Sequence, residues 1–251
     1  MFSFLHKKNK VAFPIGEFLE VDMHSHILPG IDDGAPDTDT SKRLLAGLAA
    51  LRYRAMIATP HVTAHSYPNT PCSIGAAHRQ LQTVQDLAIP DIRFAAEYML
   101  DECIGQLIAD RALLTLGGSD YVLVETAFLL RPLGADAQLF DLQHAGYRPV
   151  LAHPERYHYL FKKPADYAAF KERGCLFQVN LLSFLGYYGQ QERAAANWLL
   201  EADMIDFLGT DLHHDRHLHY LSNFKIDHKL TKALESRTFL NNTFTDRNKT
   251  T

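Results

Sequence analysis

The sequence predicts an α/β fold in which parallel strands alternate with helices, and three observations carry that expectation. Short apolar runs alternate with longer amphipathic ones between residues 18 and 208, the signature of repeated strand–helix units. The runs FLEVDM, VLVE and PVLA are almost continuously apolar, as strands covered on both faces by helices must be. No Gly-, Ser- or Pro-rich linker divides the series. A single domain over 18–240 is therefore expected, preceded by an extension at 1–17 and followed by a polar tail at 241–251. A closed barrel and an open doubly wound sheet share this pattern and stay open as alternatives at this level.

In chain order, the first strand spans 18–23. A helix at 40–51 carries Leu44, Leu45, Leu48 and Leu51 on one face. A second strand at 55–58 precedes a helix at 73–87, for which Ser73 is the expected N-cap. The third strand is 92–96 and its helix 101–110. The fourth strand, 121–124, leads to a helix at 135–144, and the fifth, 149–152, to a helix at 164–173 opened by Pro164. The sixth strand, 176–179, precedes a helix at 192–202, and the seventh is 205–208.

Composition narrows the class of protein. Of 251 residues, 47% are hydrophobic and 22% charged, which excludes a chain too polar to build a core. A net charge of -4 gives no basic footprint for nucleic acid. Cys72, Cys103 and Cys175 are far apart and form no C-x-x-C pair, so a reduced, cytoplasmic setting is expected. The apolar run at the start is too short for a secretory leader. No stretch has the roughly 18 apolar residues of a membrane span. The 14 histidines are the anomaly, and they point to metal or acid–base chemistry.

The residues just past each strand are more informative than the strands. The first strand runs into Asp22-Met23-His24-Ser25-His26 and then Leu28-Pro29-Gly30-Ile31-Asp32-Asp33-Gly34, and the second into Thr59-Pro60-His61. Glu97 ends the third and Glu125 the fourth. His153-Pro154-Glu155-Arg156 comes after the fifth, and Asp211-Leu212-His213-His214 after the seventh, while Gln178 and Asn180 close the sixth as a weaker case. Functional groups of α/β folds collect at the carboxyl ends of strands. His24 and His26, two apart on an extended segment, can face the same way, and Asp211 and His213 repeat the spacing. Imidazole and carboxylate without thiolate suit Mn, Fe, Zn or Co. The set exceeds the needs of one ion, which predicts a multinuclear site of the kind that hydrolyses phosphate esters.

Each motif alone has a plainer explanation. His-x-His is usually incidental, Asp-Asp-Gly is usually a turn, and Glu125 could open a helix. The coincidence of all of them at successive strand ends favours the site. His6, His78, His144, His158, His219 and His228 are expected at the surface or in packing, whereas His65, His214 and His217 lie near the motifs and fit either role.

The series D-M-H-S-H-I-L-P-G-I-D-D-G, T-P-H, A-E, V-E, A-H-P-E-R-Y and T-D-L-H resembles the PHP (polymerase and histidinol phosphatase) superfamily. Within it, the H-I-L-P-G-I-D-D-G segment is similar to the bacterial tyrosine-protein phosphatases of capsule and exopolysaccharide loci, the CpsB/CapC/YwqE type. The likeness runs from Glu20 to His214. It implies a distorted (β/α)7 barrel with the active site at the C-terminal ends of the strands. It also implies three divalent ions, Mn foremost and Fe, Zn or Co as alternatives. One ion would use His24, His26, Glu97 and Asp211, a second Asp33, His61 and His213, and a third Glu125 and His153 with Glu97 as the bridge. Arg156 matches the arginine that holds the substrate phosphate, and Arg216 is the counterpart of a second. Two features depart from the pattern: about twenty residues precede the first strand, and Val62 stands where many relatives have a second histidine.

The implied activity is that of a phosphoric monoester hydrolase. It would remove phosphate from phosphotyrosine through a hydroxide on the metal, with Asp33, His61 and Arg156 in the catalytic set. The implied partner is the tyrosine-rich tail of a membrane-bound bacterial polysaccharide-synthesis kinase, with peripheral membrane association. Two other readings compete: a small-molecule phosphatase such as histidinol-phosphate phosphatase, and a non-catalytic module that binds metal or a partner.

Overall fold

A computed structural model describes residues 10–83, 88–89 and 91–245. The chain begins with β1 (Lys10–Ala12), α1 (Ile15–Leu19), β2 (Val21–Asp22) and α2 (Thr38–Ala50). Next come β3 (Ala55–Ala58), β4 (His61–Val62), α3 (Pro71–Gln82), β5 (Asp91–Phe94), β6 (Glu97–Met99) and α4 (Ile104–Ala109). The middle holds β7 (Tyr121–Glu125), α5 (Ala135–His144), β8 (Arg148–Ala152), α6 (Pro164–Glu172) and β9 (Leu176–Asn180). The remainder is α7 (Leu181–Leu185), α8 (Gln190–Glu201), β10 (Phe207–Gly209), α9 (Asp215–Ser222), β11 (Lys225–Asp227) and α10 (His228–Glu235).

Hydrogen bonding divides the parallel strands into β2-β3-β5 and β10-β9-β8-β7-β6-β4. These are two pieces of one cylinder. β3 and β4 are one strand broken at Thr59–Pro60, where proline has no N–H for the ladder. β5 and β6 are likewise one strand broken at Ala95–Ala96. Bonds carry across the breaks from Ala95 N to Ala58 O (2.8 Å) and from Glu97 N to Pro60 O (3.0 Å). The last position closes on the first: Asp211 N donates to His24 O and His26 N to Leu212 O, each at 2.9 Å, beside a parallel bridge between Ser25 and Leu212. The result is a closed barrel with seven strand positions, irregular at the breaks. The open-sheet alternative is thereby removed.

Apolar side chains fill the barrel interior, among them Val21, Ile57, Leu123, Val150 and Phe207. A second, larger cluster packs the strands against the helices. The lower end is plugged by Phe244, stacked on Phe207 with centroids 5.8 Å apart. Asn241 anchors the plug, donating to Val21 O (3.1 Å) and Leu208 O (2.7 Å) and accepting from Leu208 N (3.0 Å). Residues 241–245 thus pack on the barrel; 1–9 and 246–251 lie outside the described residues. The segment before the first strand is also engaged: β1 pairs antiparallel with β11, and Phe13 packs on Phe18 and Phe224.

Several boundaries differ from the sequence expectation. Phe18 and Leu19 close a short helix, 15–19, instead of opening the first strand. Ile15 and Leu19, four apart, turn inward together, and Gly16 lies so close to the chain at Leu51 that a Cβ would come 2.3 Å from its carbonyl oxygen. The cap of α3 is Thr70, and Ser73 is its reciprocal partner in a capping box. The expected end of that helix, 84–87, lies outside the described residues. Glu97 opens β6 instead of ending a strand. α7, α9 and α10 are helices the pattern does not single out.

Candidate metal centre

At the upper end of the barrel one carboxylate replaces the apolar filling. Glu97, fully buried, has four histidine rings around it. Its Oε2 lies 3.2 Å from His24 Nε2, 3.4 Å from His26 Nε2 and 3.2 Å from His61 Nδ1. Its Oε1 lies 3.0 Å from His153 Nε2. His24 Nε2 and His26 Nε2 face each other at 3.2 Å. Asp211 Oδ1 lies 3.5 Å from both. Two atoms that each sit about 2.1 Å from a shared tetrahedral ion are about 3.4 Å apart, so these spacings suit common ligands.

The rings are aimed from behind. His24 Nδ1 is 2.8 Å from Gln178 Oε1, His26 Nδ1 is 2.7 Å from Asp32 Oδ2, and His213 Nδ1 is 2.9 Å from the carbonyl oxygen of Asp211. Each oxygen can accept a hydrogen bond from Nδ1–H, which leaves the Nε2 lone pair facing the cluster, as oriented metal ligands require. The Asp-Asp-Gly turn has a division of labour. Asp32 orients His26 and accepts from the backbone N–H of His61 (3.2 Å). Asp33, more exposed, brings Oδ1 to 3.5 Å from His61 Nε2 and 3.6 Å from His213 Nε2. Gly34 has no room for a side chain, since a Cβ would meet His26 O at 2.0 Å.

Among the described residues, three constellations could hold ions: His24 with His26 and Glu97; His26 with Asp33, His61 and His213; and His61 with Glu97 and Glu125. His61 belongs to two of them, because its Nδ1 lies 2.9 Å from Glu125 Oε1 while Nε2 faces Asp33. Glu97 Oε1, His61 Nδ1 and His153 Nδ1 are buried with no partner in hydrogen-bonding geometry. Polar atoms in the interior are nearly always satisfied. Close approach without a properly directed hydrogen bond is what a set of ligands displays, so the donor set fits divalent cations.

His153 (φ 34°) and Asp211 (φ 51°) both occupy the left-handed region, where side-chain-bearing residues are rare and strain gathers at functional sites. Asp211 thus breaks the extended repeat expected at Asp211-x-His213, although Leu212 still bridges Ser25. Asp211 Oδ1 lies 3.4 Å from His213 Nδ1. Asp211 Oδ2 accepts from Arg156 Nη1 (2.8 Å) and Asn180 Nδ2 (2.7 Å). The Arg156 guanidinium is sandwiched, 4.8 Å from the ring centre of Phe128 and 4.3 Å from that of Tyr188. A cavity of about 260 Å³ opens above, lined by Asp33, His61, Glu125, His153, Asp211 and His213 together with Arg156, Phe128, Tyr188, His214 and His217.

The electrostatics agree with a site built for cations. Burial works against the ionised form of Glu97, but His24, His61 and His153 overcome it and hold the carboxyl well below its usual range. Burial opposes the charged ring of His61, yet Glu97 and Glu125 raise it to about 9. His213 goes the other way, pushed down to about 4 by burial and by His26. Asp211 stays ionised despite burial because His213, His24 and Arg156 surround it.

All nine expected ligands and Arg156 converge on this end of the barrel. Arg216 does not line the cavity; it is exposed on α9, 5.5 Å from the ring centre of Tyr187. His65 pairs with Glu102 at the surface (3.0 Å), whereas His214 and His217 reach the cavity wall. Sequence reasoning missed Asp32, Phe128 and Tyr188. Asp32 alone left a signal, as the neighbour of Asp33 in the same turn.

The family described as capsular polysaccharide synthesis, CpsB/CapC, matches residues 20–243. The chain is 34% identical to the tyrosine-protein phosphatase YwqE of Bacillus subtilis over 77% of each sequence. It is 26% identical to the tyrosine-protein phosphatase CpsB of Streptococcus pneumoniae, over 77% of this chain and 82% of that one. A solved structure from work on YwqE and CpsB, described there as unique metal-dependent tyrosine phosphatases, superposes with a TM-score of 0.71 at 30% identity. That match spans 87% of this chain and 96% of the other. With the motif series, the seven-position barrel and the histidine–carboxylate centre in place, the chain belongs to the CpsB/CapC family.

Proposed function

We propose that this protein is a metal-dependent protein-tyrosine phosphatase. The observation that carries the reading is Glu97 inside a ring of four histidines, two of which, His61 and His153, line a cavity whose wall holds a stacked arginine. YwqE and CpsB, named as tyrosine phosphatases, support it. His24, His26, Glu97 and Asp211 would hold one ion, Asp33, His61 and His213 a second, and Glu125, His153 and Glu97 a third. Mn²⁺ is the first candidate for each. Ions at these positions would supply an activated water and neutralise charge on the phosphoryl oxygens.

The chain's own groups do the rest. Arg156 has a planar, permanently charged fork suited to two phosphoryl oxygens. Phe128 and Tyr188 hold that fork flat, and Asp211 fixes one of its nitrogens. A thiol nucleophile has no place: Cys72 and Cys103 are exposed, neither lines the cavity, and burial pushes the Cys175 thiol up to about 12. The substrate is phosphotyrosine in a protein, with the tyrosine-rich tail of a membrane-bound polysaccharide-synthesis kinase as the proposed partner. Among the described residues no helix is long and apolar enough to cross a membrane.

Phosphate release with Mn²⁺ from a tyrosine phosphopeptide, a serine phosphopeptide and histidinol phosphate tests this reading. It predicts a clear preference for the tyrosine peptide in kcat/KM. Preference for histidinol phosphate would move the protein to the small-molecule class, and no turnover of any ester would favour a binding module.

A further inference from the structure

Two amides that no ligand set includes connect two of the proposed ligands. Gln178 and Asn180 are two apart on β9, so both point into the barrel, and both are fully buried. Gln178 Oε1 accepts from His24 Nδ1 at 2.8 Å, and more weakly from the backbone N–H of His153 at 3.3 Å. Gln178 Nε2 donates to Asn180 Oδ1 at 2.8 Å, and Asn180 Nδ2 donates to Asp211 Oδ2 at 2.7 Å. Every donor in this line points the same way, from the His24 ring through two amides to the Asp211 carboxylate. The far atoms of the end residues, His24 Nε2 and Asp211 Oδ1, lie 3.5 Å apart. The chain of bonds therefore closes on the place where one ion would sit.

We propose that Gln178 and Asn180 form a positioning relay that sets the His24 ring and the Asp211 carboxylate as a matched pair for one divalent ion. The proposal rests on the reading of His24 and Asp211 as ligands of the same ion. A neutral amide behind His24 fixes the Nδ1–H tautomer without adding charge to a centre already rich in carboxylates. Because hydrogen bonds in series polarise one another, breaking either link releases both ends. The barrel makes room for the relay: at Gly209 a Cβ would lie 2.7 Å from Gln178 Nε2 and 2.9 Å from His24 Cβ. Neither amide lines the cavity, so the effect runs through the ligands.

Titration of the metal-freed full chain with Mn²⁺, followed by calorimetry and by the Mn²⁺ paramagnetic resonance signal, provides the test. Gln178→Met and Asn180→Leu, checked for folding by circular dichroism, should each weaken the affected site about 10–100-fold, the usual range for groups behind a metal ligand. The double variant should lose no more than the worse single one. Wild-type affinity in either folded single variant, or losses that add in the double, would overturn the relay. Gln178→Glu preserves shape and the acceptor for His24 but removes the N–H that Asn180 needs. Its added negative charge alone would tighten a dication, so the relay predicts weaker binding and tighter binding refutes it. His24→Ala is the reference: if it too binds Mn²⁺ like the wild type, the ligand reading has failed and the relay falls with it.

Discussion

The two ends of the barrel interior solve the same burial problem in opposite ways. At the lower end, Asn241 makes three hydrogen bonds to the backbone. At the upper end, Glu97 and His61 are buried with polar atoms left unbonded, which costs free energy unless something else satisfies them. On the proposed reading, the lower end serves stability and the upper end binds cations. Substitutions at the two ends should therefore separate stability from metal binding.

The largest effect is expected at Glu97. Glu97→Gln keeps the shape but removes the charge shared among four imidazoles. Metal content should drop and kcat/KM should fall by on the order of a thousandfold or more, beyond the ~10–100-fold of groups behind a ligand. Metal analysis beside steady-state kinetics checks it, and a mild loss with full metal content would show that the centre is misplaced. Next is Arg156→Lys, which should keep the metals and the fold but cost roughly ten- to a thousandfold in kcat/KM, the scale of one charged donor. Inhibition by free phosphate should weaken in parallel. Unchanged kinetics in both Arg156→Lys and Arg156→Ala would show that Arg156 does not hold the phosphate.

The comparison also has a pH signature. In the metal-free chain the pKa of His61 is raised from its ordinary 6.5 to about 9, so its protonated ring stabilises the fold. That contribution is fully present below 6.5 and is lost as pH rises through 9. The melting temperature of metal-free protein should therefore fall across this window, and His61→Gln should flatten the slope. Metal-loaded protein, where the ring gives its lone pair to an ion, should not show the fall. Identical pH profiles with and without metal would contradict the assignment of His61.

Smaller effects belong to the lower end and the surface. Asn241→Ala strands backbone groups of Val21 and Leu208 and should cost about 1–3 kcal/mol of stability. The folded remainder should keep its metal affinity and kcat. His144→Ala, on an exposed ring stacked on Phe140, should stay within about 0.5 kcal/mol of wild type. A metal-binding defect from Asn241→Ala would mean the two ends are coupled.

The same division explains what is legible in the sequence. Candidate ligands at strand ends are legible because strands have a period of two and sites gather at one rim, so His24, His26, Glu97, Glu125 and Asp211 stand out in the sequence. Barrel closure is not, because the bonds that join His24 and His26 to Asp211 and Leu212 link opposite ends of the chain and leave no local pattern. The breaks at Thr59–Pro60 and Ala95–Ala96 shift Glu97 from the end of one strand to the start of another without moving it from the rim. Phe18 and Leu19 read as strand because they continue the apolar run into Val21, whereas the inward pair Ile15 and Leu19 and the close approach of Gly16 to Leu51 belong to a helix. Gln178 and Asn180 stand at a strand end, but uncharged amides show their purpose only through the partners they bond.

The central claim is that the upper cluster is a metal centre that hydrolyses phosphotyrosine. The most direct test strips the purified protein of metal, verifies the removal by elemental analysis, and tracks phosphate release from a tyrosine phosphopeptide as Mn²⁺ is returned. The account predicts no turnover without metal and full recovery as more than one ion binds per chain. Full turnover in verified metal-free protein would contradict it.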